Sequence, residues 1–173
     1  MRNFKTILFV LTFVFSAWQA QSQSPVQGIK VGNKAPEIVE NSVNGKSLKL
    51  SALTGKVVLI DFWASWCRPC RNENPAVVAA YQKYKDASFT GGKGFTIFSV
   101  SLDRDLNAWK NAIQTDHLTW ENHVCNTTGN AAYLQQYEIS AIPSNFLIDS
   151  KGVILATNLR GEELEKMLAS LKK

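Results

Sequence analysis

Cys67 and Cys70 lie two residues apart in the run Cys67-Arg68-Pro69-Cys70. At that spacing two thiols can close a small disulfide ring or supply half of a metal site. Disulfide exchange needs a thiolate, and a free cysteine with a pKa near about 8.5 is mostly protonated at neutral pH. The residues after Cys67 read as a helix, so unpaired amides and the positive end of its dipole point at the sulfur, and Arg68 adds a cation. Cys70, one turn in, can reach back to Cys67 and resolve a mixed disulfide formed with a partner. Pro69 stiffens the ring at little cost, because early helix positions need no N–H donor. A zinc site would require a second CxxC or a CxxH, and the sequence contains neither.

The positioning elements follow from periodicity. Val57-Val58-Leu59-Ile60-Asp61-Phe62-Trp63 is an apolar run of strand length, expected to be buried on both faces, and Asp61 is the anomaly within it. From Pro69 to about Lys85 the residues Pro75, Val77, Val78, Tyr81 and Tyr84 recur at helical steps, which predicts a helix kinked at Pro75. A short N-terminal β-hairpin is expected over Glu37 to Leu50, turning at Asn44-Gly45. Thr90 to Gly94 reads as a loop and Phe95 to Leu102 as a second buried strand. A helix is then expected from Asp103 to about Thr115, with Leu106, Trp109 and Ile113 on one face. Trp120 to Cys125 is a strand candidate and Asn130 to Tyr137 a short helix. Asn145 to Asp149 and Val153 to Asn158 flank a turn as a hairpin, and a closing helix runs from about Gly161 to Leu171 with Leu164, Met167, Leu168 and Leu171 inward. This order predicts an α/β fold, a central mixed β-sheet flanked by helices, with the N-terminal β-hairpin and a central βα insertion.

Arg2 and Lys5 precede an almost unbroken apolar run from Ile7 to Trp18, and Gln/Ser-rich sequence follows, the layout of a signal peptide over residues 1–22. As a helix that run rises about 18 Å against a hydrocarbon core of roughly 30 Å, so cleavage is favoured over a retained membrane anchor. Residues 23–30 are a polar linker and 31–173 a single domain, consistent with 45% apolar and 19% charged residues. Without Arg2 and Lys5 the net charge falls from +5 to about +3, with no basic block, so nucleic acid is not indicated as a partner. An exported chain enters an oxidising compartment, and three cysteines, two of them in one CxxC, suit a redox motif plus a spare better than a disulfide-stapled scaffold. The spare, Cys125, reads as a buried thiol; His117 and His123 are spaced for no common metal site.

Asp61-Phe62-Trp63-Ala64-Ser65-Trp66-Cys67-Arg68-Pro69-Cys70 resembles the active-site segment of the thioredoxin superfamily. Val31-Gly32-Asn33-Lys34-Ala35-Pro36, Asn44-Gly45-Lys46, Cys70-Arg71-Asn72-Glu73-Asn74-Pro75 and Ala141-Ile142-Pro143-Ser144-Asn145-Phe146-Leu147-Ile148-Asp149 extend the likeness to the TlpA/ResA-like (AhpC/TSA-related) branch over about residues 31 to 171. The resemblance implies a thioredoxin-like fold and a cis bond before Pro143, whose loop, with Ile142, presents backbone to a substrate strand. It assigns Asp61 as a buried acid trading a proton with Cys70, which desolvation would favour; a strand-end aspartate that is solvated or caps a backbone group is the alternative. Glu73 matches an acid that tunes cysteine reactivity, and complementing the helix dipole is the alternative. Trp66, Arg68 and Pro69 fall on the docking surface, whereas Phe62 and Trp63 read as packing.

The expected function is thiol-disulfide oxidoreduction outside the cytoplasm, with Cys67 attacking and Cys70 resolving. The resemblance implies a monomeric reductant of exported proteins such as apo-cytochrome c, recharged by a membrane thiol-disulfide donor, with no cofactor or metal beyond its own disulfide. The reverse direction, an oxidase or isomerase, stays open, since Arg68 and the acids push the potential in opposite senses. A peroxiredoxin-type peroxidase or a copper-delivery module on the same fold are the competing classes. Trp66 with Ser65 does not supply the peroxide pocket, and copper chaperones of this fold use a wider cysteine spacing with a histidine.

Overall fold

Two seven-residue strands, β3 (Val57–Trp63) and β6 (Phe95–Ser101), are buried along their whole length and pair in parallel at the centre of the sheet. The computed structural model describes residues 25–129 and 131–173. The signal-peptide segment and the first two linker residues, 23 and 24, lie outside the described residues, as does Asn130 at the expected start of the short helix.

The chain runs β1 (Val39–Asn41), β2 (Ser47–Lys49), a 3-10 turn over Leu50–Leu53, β3, α1 (Arg68–Tyr84), β4 (Ser88–Phe89), β5 (Gly92–Lys93) and β6. It continues through α2 (Leu106–Thr115), β7 (His123–Cys125), α3 (Ala132–Gln136), β8 (Ser144–Ile148), β9 (Ile154–Thr157) and α4 (Glu162–Leu171). The five-stranded sheet has the order β7-β6-β3-β8-β9, with β8 and β9 antiparallel to their neighbours, so it is mixed as expected. This is the thioredoxin-like α/β fold. The N-terminal hairpin forms from β1 and β2, with Gly45 at φ 79° supplying the turn.

Alternation along β3 splits the core in two. Val57, Leu59 and Trp63 pack against α1, α2 and α4 with Val77, Trp109, Leu164 and Leu168. Val58, Ile60 and Phe62 pack on the other face against Ala35, Ile38, Tyr133 and Tyr137. Asp61 therefore faces the helical layer that carries the cysteines.

Three details differ from the sequence expectations. The stretch Thr90 to Gly94 is not a plain loop, because Gly92 and Lys93 pair with Phe89 and Ser88 in a small hairpin. Helix α2 starts at Leu106, not Asp103, because Asp105 caps it by accepting from the amides of Asn107 and Ala108. Leu106, expected inward, is 44% exposed, while Trp109 and Ala112 are buried. Helix α1 continues through Pro75, which lies inside it.

Candidate active site

The first cysteine caps the helix that carries the second. Cys67 has extended backbone angles, and its Sγ accepts from the Cys70 amide at 3.2 Å, the place usually taken by Ser, Thr or Asp. Arg68 and Pro69 occupy the first helical turn and are exposed, so the missing N–H of Pro69 costs nothing. Cys67 and Cys70 are joined by a disulfide of 2.04 Å with Cα atoms 5.3 Å apart. Both cysteines are buried, Cys70 at 2% and Cys67 at 5% exposure. Trp66, immediately before, is 67% exposed.

Below the disulfide, Asp61, Cys70, Glu73, Pro143, Asn145 and Arg160 line one cavity of about 10 Å³, room for roughly a single water molecule. Asp61 is the sheet's contribution, in register with Ser99 of β6 and Asn145 of β8. Burial pushes its carboxyl up to about 7; the Arg160 cation pulls it down and the Glu73 acid adds to the rise. A carboxyl with that affinity exchanges protons near neutral pH. At 7% exposure Asp61 is not a solvated strand end.

Glu73 lines this cavity with Cys70 and Asp61, and it does not complement the dipole of its own helix. It lies beyond the first turn of α1, and its carboxylate accepts from the Gly161 amide at 2.8 Å, at the N-terminus of α4. It thus complements a helix end, but that of a different helix. The Ile142–Pro143 peptide is cis, and Ile142 is half-buried against the core.

Arg160 carried no signal in the sequence, since it lies in a connecting segment far from the cysteines. Its Nη2 donates to the Pro143 carbonyl at 2.5 Å and its Nη1 to that of Leu159 at 2.9 Å. Asn145 holds the same segment, donating to the Leu159 carbonyl and accepting from the Leu159 amide, both at 2.9 Å. The proline loop and the electrostatics of Asp61 are therefore tied to one cation.

Cys125 is a free, buried thiol outside this cavity, and burial pushes its pKa up. His123 is buried with its ring stacked on Trp120 and Nε2 3.1 Å from the Leu118 carbonyl oxygen. Among the described residues no group of three His, Cys, Asp or Glu could hold a metal ion, and no helix is long and apolar enough to cross a membrane.

Comparison with known proteins points the same way. The Redoxin family profile matches residues 30–172. The thiol-disulfide oxidoreductase ResA of Bacillus cereus is 30% identical over 140 residues, 81% of this chain and 75% of that protein. ResA of Bacillus subtilis is 30% identical over 142 residues, covering 82% and 74%. Among solved structures, the thioredoxin domain of a thiol-disulfide oxidoreductase from Bacteroides vulgatus superposes with a TM-score of 0.74 at 35% identity, covering 83% of this chain and 98% of that one. A thiol:disulfide interchange protein from Bacteroides sp. gives 0.71 at 36% identity over 86% and 91%.

Proposed function

The chain belongs to the redoxin family, and from that footing we propose that it is an extracytoplasmic reductant, passing two electrons to disulfides of exported proteins such as apo-cytochrome c. The observation that carries the reading is the Cys67–Cys70 disulfide at the start of α1, whose second sulfur shares a cavity with a buried acid poised near neutrality. The TlpA/ResA-like resemblance supports the direction of electron flow, and the signal-like segment at residues 1–22 supports the compartment.

In the reduced chain, the Cys67 thiolate attacks one sulfur of the substrate disulfide, forming a mixed disulfide and expelling the other sulfur as a thiolate. The Asp61 carboxylate takes the proton of Cys70. The Cys70 thiolate then attacks Cys67 Sγ, closing the intramolecular disulfide and releasing the second substrate thiolate. The substrate gains two electrons, and the chain is left in the disulfide form described above. Trp66, Arg68, Pro69, Ile142 and Pro143 form the face on which the substrate docks. Glu73 acts on the cysteines through Asp61. A membrane donor of thiol-disulfide type recharges the pair, and a monomer without metal or cofactor suffices.

A redox titration of Cys67/Cys70 against dithiothreitol, followed by tryptophan fluorescence, tests this. A reversible two-electron transition at or below about −270 mV supports a reductant, and one near about −120 mV would make the chain an oxidant. Absence of a reversible transition overturns exchange. A Cys70→Ser variant, unable to resolve, should trap exported proteins as mixed disulfides with Cys67.

A further inference from the structure

Ser65, two residues before Cys67, has each of its polar groups held. Its amide donates to Asp103 Oδ2 at 2.9 Å and its hydroxyl to Asp103 Oδ1 at 2.5 Å. Its carbonyl accepts from Arg71 Nη1 at 3.2 Å. Arg71 is itself fixed by a bidentate pair with Asp116, which also accepts from Asn74 Nδ2 at 2.6 Å. Asp103 is 1% exposed at the exit of β6, and its Oδ2 also accepts from the Ser101 hydroxyl at 2.7 Å. The Cys125 thiol donates to the Asp103 carbonyl at 3.2 Å. Asp103, outside the cavity that holds Asp61, thus grips one short segment of the active-site loop, and Cys125 touches Asp103 from behind.

The exposed Trp66 ring has little packing to orient it, so its direction is set by the backbone on either side. The Cys67 side is anchored by the helix cap, and the Ser65 side by Asp103. We propose that Asp103 is a positioning residue for exchange with protein substrates: through Ser65 it fixes the backbone that presents Trp66 and Cys67, and Cys125 buttresses it from behind. This gives the third cysteine a structural task with its thiol intact. The geometry needs an acceptor oxygen at each of two positions, Oδ2 for the Ser65 amide and Oδ1 for its hydroxyl, which a carboxyl supplies and an amide, with one oxygen and one NH2 donor, does not.

The inference rests on the exchange reading, and its test separates the two. The reduced chain is offered insulin, a protein disulfide, and 5,5′-dithiobis(2-nitrobenzoate), a small disulfide that needs no docking surface, and the ratio of the two rate constants is measured. Ser65→Ala and Asp103→Asn should lower the insulin-to-small-disulfide ratio about tenfold, as expected for one lost hydrogen bond to a charged group. Ser65→Thr, which keeps the hydroxyl, should restore it. Equal ratios in wild type and Ser65→Ala, or parallel loss on both substrates, overturn the positioning role. Should Asp103→Asn fail to fold, the Ser65→Ala and Ser65→Thr pair decides. A wild-type chain that reduces neither disulfide overturns both this role and the exchange reading.

Discussion

Asp61 of β3 and Cys70 of α1 line the same small cavity, and Cys67 does not. The buried acid therefore adjoins the sulfur that resolves in the proposed mechanism, where its deprotonation would gate closure of the disulfide. With its carboxyl raised to about 7, Asp61 is a base above that pH and an acid below it. Resolution of a Cys67 mixed disulfide should quicken as pH rises through about 7, and Asp61→Asn should abolish that inflection and slow the step about 100-fold at pH 8. Stopped-flow release of a fluorescent thiol from the mixed disulfide reads both. An inflection surviving in the variant would assign the proton transfer elsewhere.

Two buried groups should give stability opposite pH dependences. Asp61 is raised from 3.8 to about 7, so the folded state is favoured below 3.8 and loses up to about 4 kcal/mol as pH climbs through that window. His123 is lowered from 6.5 to about 4 by burial, so its contribution is intact above 6.5 and up to about 3 kcal/mol is lost as pH falls toward 4. In the oxidised protein, Asp61→Asn should be more stable than wild type at pH 8, the gap closing toward pH 4. His123→Phe, which keeps an aromatic ring against Trp120, should lose less stability than wild type between pH 6.5 and 4. Urea unfolding across pH provides the differences. A gap for Asp61→Asn that widens toward acid would contradict the burial of a neutral carboxyl.

The parts legible in the sequence are those in which the signal is local. Val57–Trp63 declared a central strand by apolarity interrupted only at Asp61, and Cys67, Pro69 and Cys70 sit within one helical turn, where spacing dictates proximity. Asp61 stood out because an acid does not belong in such a run unless it is used. Arg160 and the Glu73–Gly161 contact were illegible because they depend on how loops meet in three dimensions; the latter spans 88 positions. Asp103 was misread as a helix start because an aspartate before an apolar repeat is a capping signal, and Asp105, two residues on, takes that role. The hairpin of β4 and β5 escaped because two-residue strands are too short to show a period.

Glu73 offers two separable effects. Removing its acceptor in Glu73→Ala leaves the Gly161 amide unpaired and should cost about 1 kcal/mol, whereas Glu73→Gln keeps a carbonyl there and should cost less. Both substitutions remove a charge that raises Asp61, so the pH inflection of the resolving step should move below about 7 in each. Thermal unfolding and the stopped-flow profile measure the two independently. An inflection that stays in place would confine Glu73 to anchoring α4.

Trp66 and Trp63 are neighbours in sequence with opposite environments, 67% and 1% exposed. Truncating the buried ring in Trp63→Ala opens the core beneath α1 and should destabilise the fold by about 3–5 kcal/mol. Trp66→Ala removes a ring that the fold barely uses, so stability should hold within about 0.5 kcal/mol. A solvent-facing indole beside the attacking sulfur is costly to keep exposed unless a partner covers it, and aromatic anchors of that kind dominate interface energetics. Insulin reduction by Trp66→Ala should accordingly fall about tenfold or more at unchanged melting temperature. If stability fell and insulin reduction did not, Trp66 would belong to the core and the docking face would lie elsewhere on the molecule.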